Sequence, residues 1–534
     1  VVVLVSLFAN LGAIGLVGPD EPRYAWIARA MAETGDWVTP RLWGVPWFEK
    51  PVLYYWAAAI GFWMHLPAEW AARLPSAIAA LAAAKAIAWF ARRHYGADED
   101  SIASTTLLAP VVFATSVAVI GFARAATPDM LFSAAITLAM VCAAGVLRRA
   151  GTLRIPDGAP SEIQKHNLLV LLLWGAFLGT GVLAKGPAAV ILAGGAVATW
   201  ALATSQWRAA LRLAHPIAIV AFCVVALPWY VLCARRNPDF LHVFIFQHNF
   251  ERYLTPLFQH QQPFWFFGPI IILALLPWSV FLIAAAQEAL KLWREKSWTN
   301  SPGFFVACWA VFPVVFFSFS QSKLPSYMLP AIPAWALIAA IGASRSFQRG
   351  RTNAIILSAG TGLVWIVLAI VFLHATHKFP FTEMGSAIPV LAAVALGIAV
   401  AVAAGILYAG MRKDLRMAVI LCSISAVATL VIANTVVLPA LDPHLSARTH
   451  AAFLRNDLRP DRIFTYELRR NWNYGLAFYF HREIPEWSPQ DPEAALVLTS
   501  REGFEKIVKA GRFHGVEEPP QQGIIYVPIA PAPR

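Results

Sequence analysis

The chain has 534 residues, of which 58% are hydrophobic and 13% charged, and its formal net charge is +12. A mean hydropathy of +0.59 over that length excludes an ordinary soluble enzyme and points to a polytopic membrane protein. The basic residues are scattered between apolar runs, which excludes a nucleic-acid-binding patch, and all five cysteines (Cys142, Cys223, Cys233, Cys308, Cys422) lie in apolar stretches, giving neither a disulfide framework nor a CxxC zinc site.

The sequence opens at Val1 inside an apolar run and without a methionine. A few preceding residues, holding the cytoplasmic flank of the first span, are therefore expected. The run continues into a polar loop without a small-residue cleavage site, unlike a signal peptide. With about 20 apolar residues per span, thirteen spans are expected, centred near residues 9, 80, 110, 138, 176, 196, 222, 275, 311, 335, 363, 398 and 428. If Val1 starts inside, the even-numbered connectors are cytoplasmic. They carry Arg92/Arg93, Arg148/Arg149/Arg154/Lys165, Arg208/Arg212, Lys291/Arg294/Lys296, Arg345/Arg349/Arg351 and Arg412/Lys413/Arg416, as the positive-inside rule requires. The predicted fold class is thus a polytopic α-helical membrane protein of about 13 transmembrane helices, with amphipathic juxtamembrane helices and a small C-terminal α/β soluble domain.

Three outer loops stand out. In the first, residues 18–69, Pro22 to Thr34 and Pro51 to Leu66 read as short helices lying along the membrane surface. The second, 235–263, mixes Arg235, Arg236, His248, Glu251, Arg252 and Tyr253 with many aromatics; the third, 320–327, is the polar run SQSKLPSY. Residues 1–439 form the membrane domain. From 440 to 534 the composition becomes that of a soluble domain on the outer face, with strands expected at Arg462 to Tyr466, Ala494 to Leu498 and Ile524 to Val527, and helices at Tyr474 to Phe480 and Glu502 to Ala510.

The first outer loop holds more chemistry than packing requires. Asp20 and Glu21 stand at the end of the first span, where a charge is costly unless it is paired or wet. As structure, they are acidic residues capping the helix that Pro22 opens. That reading leaves Arg23, Tyr24, Asp36, Trp37, Arg41, Trp43, Trp47, Phe48, Glu49 and Lys50 unexplained, all on the side where topology asks for no cations. Aromatic faces, cations and carboxylates together suit a sugar phosphate.

The run GPDEPRYAWIARAMAETGDWVTPRLWGVPWFEKPVLYYW resembles the first periplasmic loop of the bacterial C-type glycosyltransferases that use undecaprenyl-phosphate sugars, in particular the lipid A aminoarabinose transferases, and more distantly the protein O-mannosyltransferases. The runs FARAATPDMLFS, LAKGPAAVIL and SKLPSYMLPAIPA resemble later motifs of the same family, in order. The resemblance implies an inner-membrane enzyme with its site facing the periplasm, transferring 4-amino-4-deoxy-L-arabinose from undecaprenyl phosphate to a lipid A phosphate, with polymyxin resistance as the consequence. It implies Asp20 and Asp129 as the catalytic acids and Lys50, Arg252 and Tyr327 as a clamp on the donor phosphate. Arg23, Tyr24, Glu49 and Lys323 become secondary substrate contacts. Trp26 departs from the family pattern, where a polar or acidic residue is expected, which touches local sugar or lipid contacts and not the reaction class.

Alternatives remain open at several positions. Lys185 can anchor a helix end at the interface or contact phosphate, and the same choice applies to Lys323. His248 can be an interfacial histidine, or ligate a divalent ion with Glu49; no other cofactor is expected. Arg124 can pair with Asp129 across their turn. A different sugar (mannose, galacturonic acid), a protein acceptor, or a transporter remain competing functions, although a transporter would place its polar groups at mid-membrane. The expected partners are the undecaprenyl-phosphate-linked donor, lipid A and the bilayer, with no nucleic acid and a monomeric protein.

Overall fold

A computed structural model describes residues 1–95, 105–149, 163–244, 251, 261–299, 301–378, 387–458, 462–488, 495–509 and 523–529. The chain is a multi-pass helical membrane protein. Among the described residues, eight helices are long and apolar enough to cross a bilayer, or nine if the bent pair Thr105–Ala114 and Val117–Ala123, broken by 61°, forms one span. Three shorter apolar helices, Ala188–Ala203, Phe264–Ala274 and Pro302–Ser318, fall at or beside three further predicted centres. The described residues therefore do not confirm the count of thirteen spans.

The largest departure is at the start. The helix α1 (Val2–Phe8) ends after seven residues, and residues 9–19 run without regular helix to α2 (Asp20–Thr34). The latter begins two residues earlier than Pro22, so Asp20 and Glu21 occupy its first turn, where the helix dipole favours anions. It stops at Gly35, whose φ of 72° suits a residue without Cβ and whose N–H bonds the Met31 carbonyl. A two-stranded hairpin follows, β1 (Arg41–Leu42) paired antiparallel with β2 (Val45–Pro46), then α3 (Leu53–Trp63). This last is three residues shorter at its end than the sequence pattern suggested, and too short to span.

The helices α4 (Ala68–Tyr95), α5 (Thr105–Ala114), α6 (Val117–Ala123), α7 (Asp129–Arg149), α8 (Ile163–Lys185) and α9 (Ala188–Ala203) follow. Asp129 therefore opens α7, the most enclosed candidate span: 83% of its apolar window is buried in protein, against 17% for Ile388–Arg412 at the periphery. Peripheral side chains such as Val390, Val394 and Ile398 are exposed, as lipid-facing residues should be.

Residues 415–445 form one long helical run, so the compositional change near residue 440 falls inside its last turns. The tail then builds a three-stranded sheet in the order β3 (Ile463–Tyr466), β4 (Ala495–Thr499), β5 (Ile525–Ile529), with β3–β4 parallel and β4–β5 antiparallel. A parallel pair needs a crossover, and the helix Arg470–Phe480 lies within that connection; it starts four residues before the expected Tyr474. The helix Arg501–Lys509 follows β4. Alternation along β4 sends Leu496 and Leu498 to one core with Trp472 and Leu476, and Val497 to a second with Ile507. The small α/β tail is thereby borne out.

Candidate active site

Glu21 and Asp20, adjacent in sequence, have separate fates. Glu21 is 5% exposed and accepts from Val17 N (2.8 Å), Ala126 N (2.7 Å), Arg73 Nε (3.2 Å) and Arg73 Nη2 (2.6 Å). Arg73, from α4, also donates to the carbonyls of Leu11, Ile14 and Gly15. This pair joins the end of the first apolar segment, α2, α4 and the turn before α7, and all the acceptor capacity of Glu21 is used in doing so. Its role is structural, as the buried counter-charge of Arg73.

Asp20 instead keeps 54% of its side-chain surface open. Its Oδ1 lies 2.5 Å from Arg23 Nη2, and the same nitrogen lies 2.9 Å from Glu49 Oε2. Lys50 Nζ donates to Glu49 Oε1 at 3.1 Å. Asp20, Arg23, Glu49 and Lys50 are thus one continuous chain of alternating charge. The surrounding protein withdraws water from Asp20, which pushes its carboxyl above the usual range; Arg23 and Lys50 pull it down, while Glu49 and Asp129 add to the rise. Asp129 therefore lies close enough for its charge to act on Asp20.

Asp129 pairs with Lys185 at the end of α8, and the Lys185 ammonium lies 5.7 Å from the Phe132 ring and 5.5 Å from the Tyr327 ring. Tyr327 belongs to a 3-10 helix, Pro325–Ala331, and its ring packs on Phe317 at 4.7 Å. The expected Arg124–Asp129 pair does not form. Arg124 reaches back to the carbonyls of Ala9 (2.6 Å) and Asn10 (3.0 Å) and to Asn434 Oδ1 (2.7 Å), past the end of α1. Lys323 is 8% exposed and donates to the Ser320 carbonyl at 2.7 Å, which closes its own turn. Arg252 and His248 lie outside the described residues. Both Glu49 oxygens meet cations, and among the described residues no group of three His, Cys, Asp or Glu could hold a metal ion.

Two side chains that the sequence singled out, Arg23 and Trp47, and one that it did not, Tyr55, complete the site. Among the described residues, Arg23 Nε, Trp47 Nε1 and Tyr55 Oη are buried donors to which no acceptor is matched, and buried donors of this kind are costly unless a ligand or water takes them up. The charges of Glu49, Arg23 and Asp20 all act on Tyr55, which places its phenol in the same region. Beside Glu49 a cleft of about 510 Å³ opens between Trp47 and Phe48 on one side and Arg236, Asn237 and Asp239 on the other. Its far wall is fixed to the loop by Asp36, which meets Arg236 at 3.2 Å and caps the N–H groups of Val38 and Thr39. A polar-edged cleft ending on a chain of charges can hold an anionic group at Lys50 and Arg23, and a cationic or hydroxylated one at Asp20.

Residues 4–244 match the family described as dolichyl-phosphate-mannose-protein mannosyltransferase. An undecaprenyl phosphate-α-4-amino-4-deoxy-L-arabinose arabinosyl transferase from Edwardsiella ictaluri is 28% identical over 484 residues, covering 86% of this chain and 83% of its own length. The protein of the same name from Erwinia tasmaniensis is 33% identical over 322 residues, covering 60% of this chain and 54% of itself. The chain thus spans most of the first relative and just over half of the second. ArnT from Cupriavidus metallidurans, solved with undecaprenyl phosphate bound, shares the fold with a TM-score of 0.76 at 22% identity, over 99% of this chain and 96% of that one.

Proposed function

We propose that this chain, a relative of the C-type aminoarabinose transferases, transfers 4-amino-4-deoxy-L-arabinose from undecaprenyl phosphate to a phosphate of lipid A, at the periplasmic face of the inner membrane. The observation that carries the reading is the unbroken Asp20–Arg23–Glu49–Lys50 chain, with Asp129, paired to Lys185, close enough for its charge to act on Asp20. A transporter has no use for such a chain at one end of its helices, since its binding groups belong near mid-membrane.

The chemistry follows from the acceptor. A phosphate oxygen of lipid A attacks the anomeric carbon, the bond from that carbon to the donor phosphate oxygen breaks, and undecaprenyl phosphate leaves with the electron pair. One displacement inverts the anomeric centre. A phosphomonoester with a second pKa near ~6 is already largely dianionic at neutral pH, so no base is needed. Asp20 then holds the donor's ammonium or orients the nucleophile, and its charge stabilises the positive character that grows on the sugar ring. With a hydroxyl acceptor, Asp20 would be the general base instead.

Lys50 has three N–H donors, and Glu49 uses one. The others are available to the donor phosphate, assisted by Tyr327 and Arg252. A divalent ion at Glu49 and His248 would have to displace the cations already on Glu49. The test is mass spectrometry of lipid A from cells with and without the protein, where aminoarabinose addition should appear and should be absent with Lys50→Ala. An unchanged lipid A profile with the wild-type chain present overturns the assignment, and addition of a different sugar reassigns the donor. Reconstitution in liposomes separates the transporter: sugar transfer without a gradient supports the enzyme, and translocation alone rejects it.

A further inference from the structure

Arg23 is the hub of the charge chain, yet its orientation is weakly fixed by hydrogen bonds. One nitrogen, Nη2, serves both Asp20 and Glu49, while Nε is buried without an acceptor among the described residues. A small rotation of the guanidinium would lose one carboxylate. Three aromatic rings hold it instead: Tyr24 at 5.2 Å, Trp47 at 5.4 Å and Tyr474 at 5.8 Å. The first two belong to the first loop. Tyr474 comes from the tail helix Arg470–Phe480, some 450 residues away.

The hairpin tip meets the same ring. Trp43 and Gly44, between β1 and β2, have φ of 51° and 82°; a two-residue turn of this kind requires positive φ at both positions and ordinarily takes Asn or Gly at the first. A tryptophan there is strained. Its indole lies 5.4 Å from the Tyr474 ring, so the strained residue packs on the ring that meets Arg23. The tail helix is itself pinned: the Phe478 carbonyl accepts from Arg29 at 2.8 Å, and the Tyr479 hydroxyl accepts from Leu16 N and donates to Glu69, each at 2.9 Å.

We infer that Tyr474, on which the strained Trp43 packs, is a positioning residue that fixes Arg23 between Asp20 and Glu49, so that the C-terminal domain forms part of the site for sugar transfer. The inference rests on the activity proposed above. It assigns the tail a task other than acceptor binding.

The experiment uses the full chain in detergent with the undecaprenyl-phosphate-linked aminoarabinose donor and lipid A. Tyr474→Ala should lower kcat by on the order of tenfold or more, as loss of orientation does, whereas Tyr474→Phe, which keeps the ring face, should stay within about twofold of the native rate. Ile507→Ala, which opens the far core of the same domain, should lower Tm without lowering kcat. The acid limb of the pH profile should move to higher pH in Tyr474→Ala, because a loosened Arg23 no longer opposes the rise that burial, Glu49 and Asp129 impose on Asp20, leaving only Lys50 to do so. Native kcat and acid limb in a folded Tyr474→Ala, or equal loss in Ala and Phe, overturns the inference. A cryo-EM structure of Tyr474→Ala decides it without substrate: Arg23 should leave Asp20 or Glu49, and an Arg23 still bridging both overturns it. If the wild-type chain transfers no aminoarabinose, the activity fails while that structural result still decides the positioning role.

Discussion

Two neighbouring carboxylates should divide stability from catalysis. Glu21→Ala removes the partner of Arg73, whose side chain is 3% exposed and keeps only the Leu11, Ile14 and Gly15 carbonyls. Breaking a buried ion pair from one side costs about 3–5 kcal/mol, and the N–H groups of Val17 and Ala126, left without an acceptor, add about 1–3 kcal/mol each unless water reaches them. A loss of roughly 5 kcal/mol is comparable to the whole stability of many domains, so Glu21→Ala should give little monodisperse protein. Glu21→Gln, which keeps one acceptor oxygen, should fold with a depressed Tm. Asp20→Asn touches a half-open side chain whose pair with Arg23 is worth about 0–1 kcal/mol. Its Tm, read by intrinsic fluorescence in detergent, should match wild type within about 2 °C, while transfer falls on the order of a hundredfold. A stable, well-folded Glu21→Ala would refute the structural role, and full transfer by a folded Asp20→Asn would refute a charged role for Asp20.

Lys185→Ala removes the cation paired with Asp129 and should lower transfer by about tenfold or more, with Lys185→Arg intermediate; an interface anchor alone would leave the rate unchanged. In the tail, His450 is fully buried, its Nδ1 2.8 Å from the Tyr526 hydroxyl and its Nε2 3.1 Å from the Pro443 carbonyl. Burial lowers its pKa to about 4, with His444 adding to the fall and the Pro443 contact and Asp442 opposing it. The unfolded chain binds this proton below about pH 6.5 and the folded one only near 4, so stability is full above 6.5 and falls as pH drops to 4, by up to about 3 kcal/mol. Thermal denaturation from pH 7 to 4 should show this loss, and His450→Gln should flatten it; an equally steep curve for the variant would exclude His450 as its source.

What the sequence made legible is mostly local. The helix α2 and the strand β4 are set by patterns that act over a few residues, and each appears within two residues of its expected bounds. Partners distant in the chain carry no such signal. Arg124 and Asp129 stand five apart and invite pairing, yet Arg124 bonds carbonyls 114 and 115 residues back. Arg73 lies in an expected span with nothing to mark it as the partner of Glu21, 52 residues earlier. Tyr474 reads as one apolar position of a tail helix until folding sets it under Arg23. The aromatic excess of the first loop was a real signal, but not of which rings would meet which charge.

The end of the first helix at Phe8 explains why so many outer-side arginines are buried in structure and not in substrate binding. A helix that stops at Phe8 leaves backbone carbonyls that would otherwise bond within the helix, and non-helical backbone at membrane depth is tolerated only where protein or water satisfies it. Arginine can reach several carbonyls at once because its donors form a planar fork. Arg124 takes Ala9 and Asn10, Arg448 takes Gly12, and Arg73 takes Leu11, Ile14 and Gly15. One of these three cations, Arg448, comes from the tail, where Asp442 fixes it and also accepts from Gly15 N. The unwound strand is thereby held from the bundle and from the C-terminal domain together, and Glu21 neutralises the most deeply buried of the three. Asp20 follows by position: a chain that spends Glu21 on Arg73 turns the preceding side chain outward, to the open face where Arg23 and Glu49 meet it.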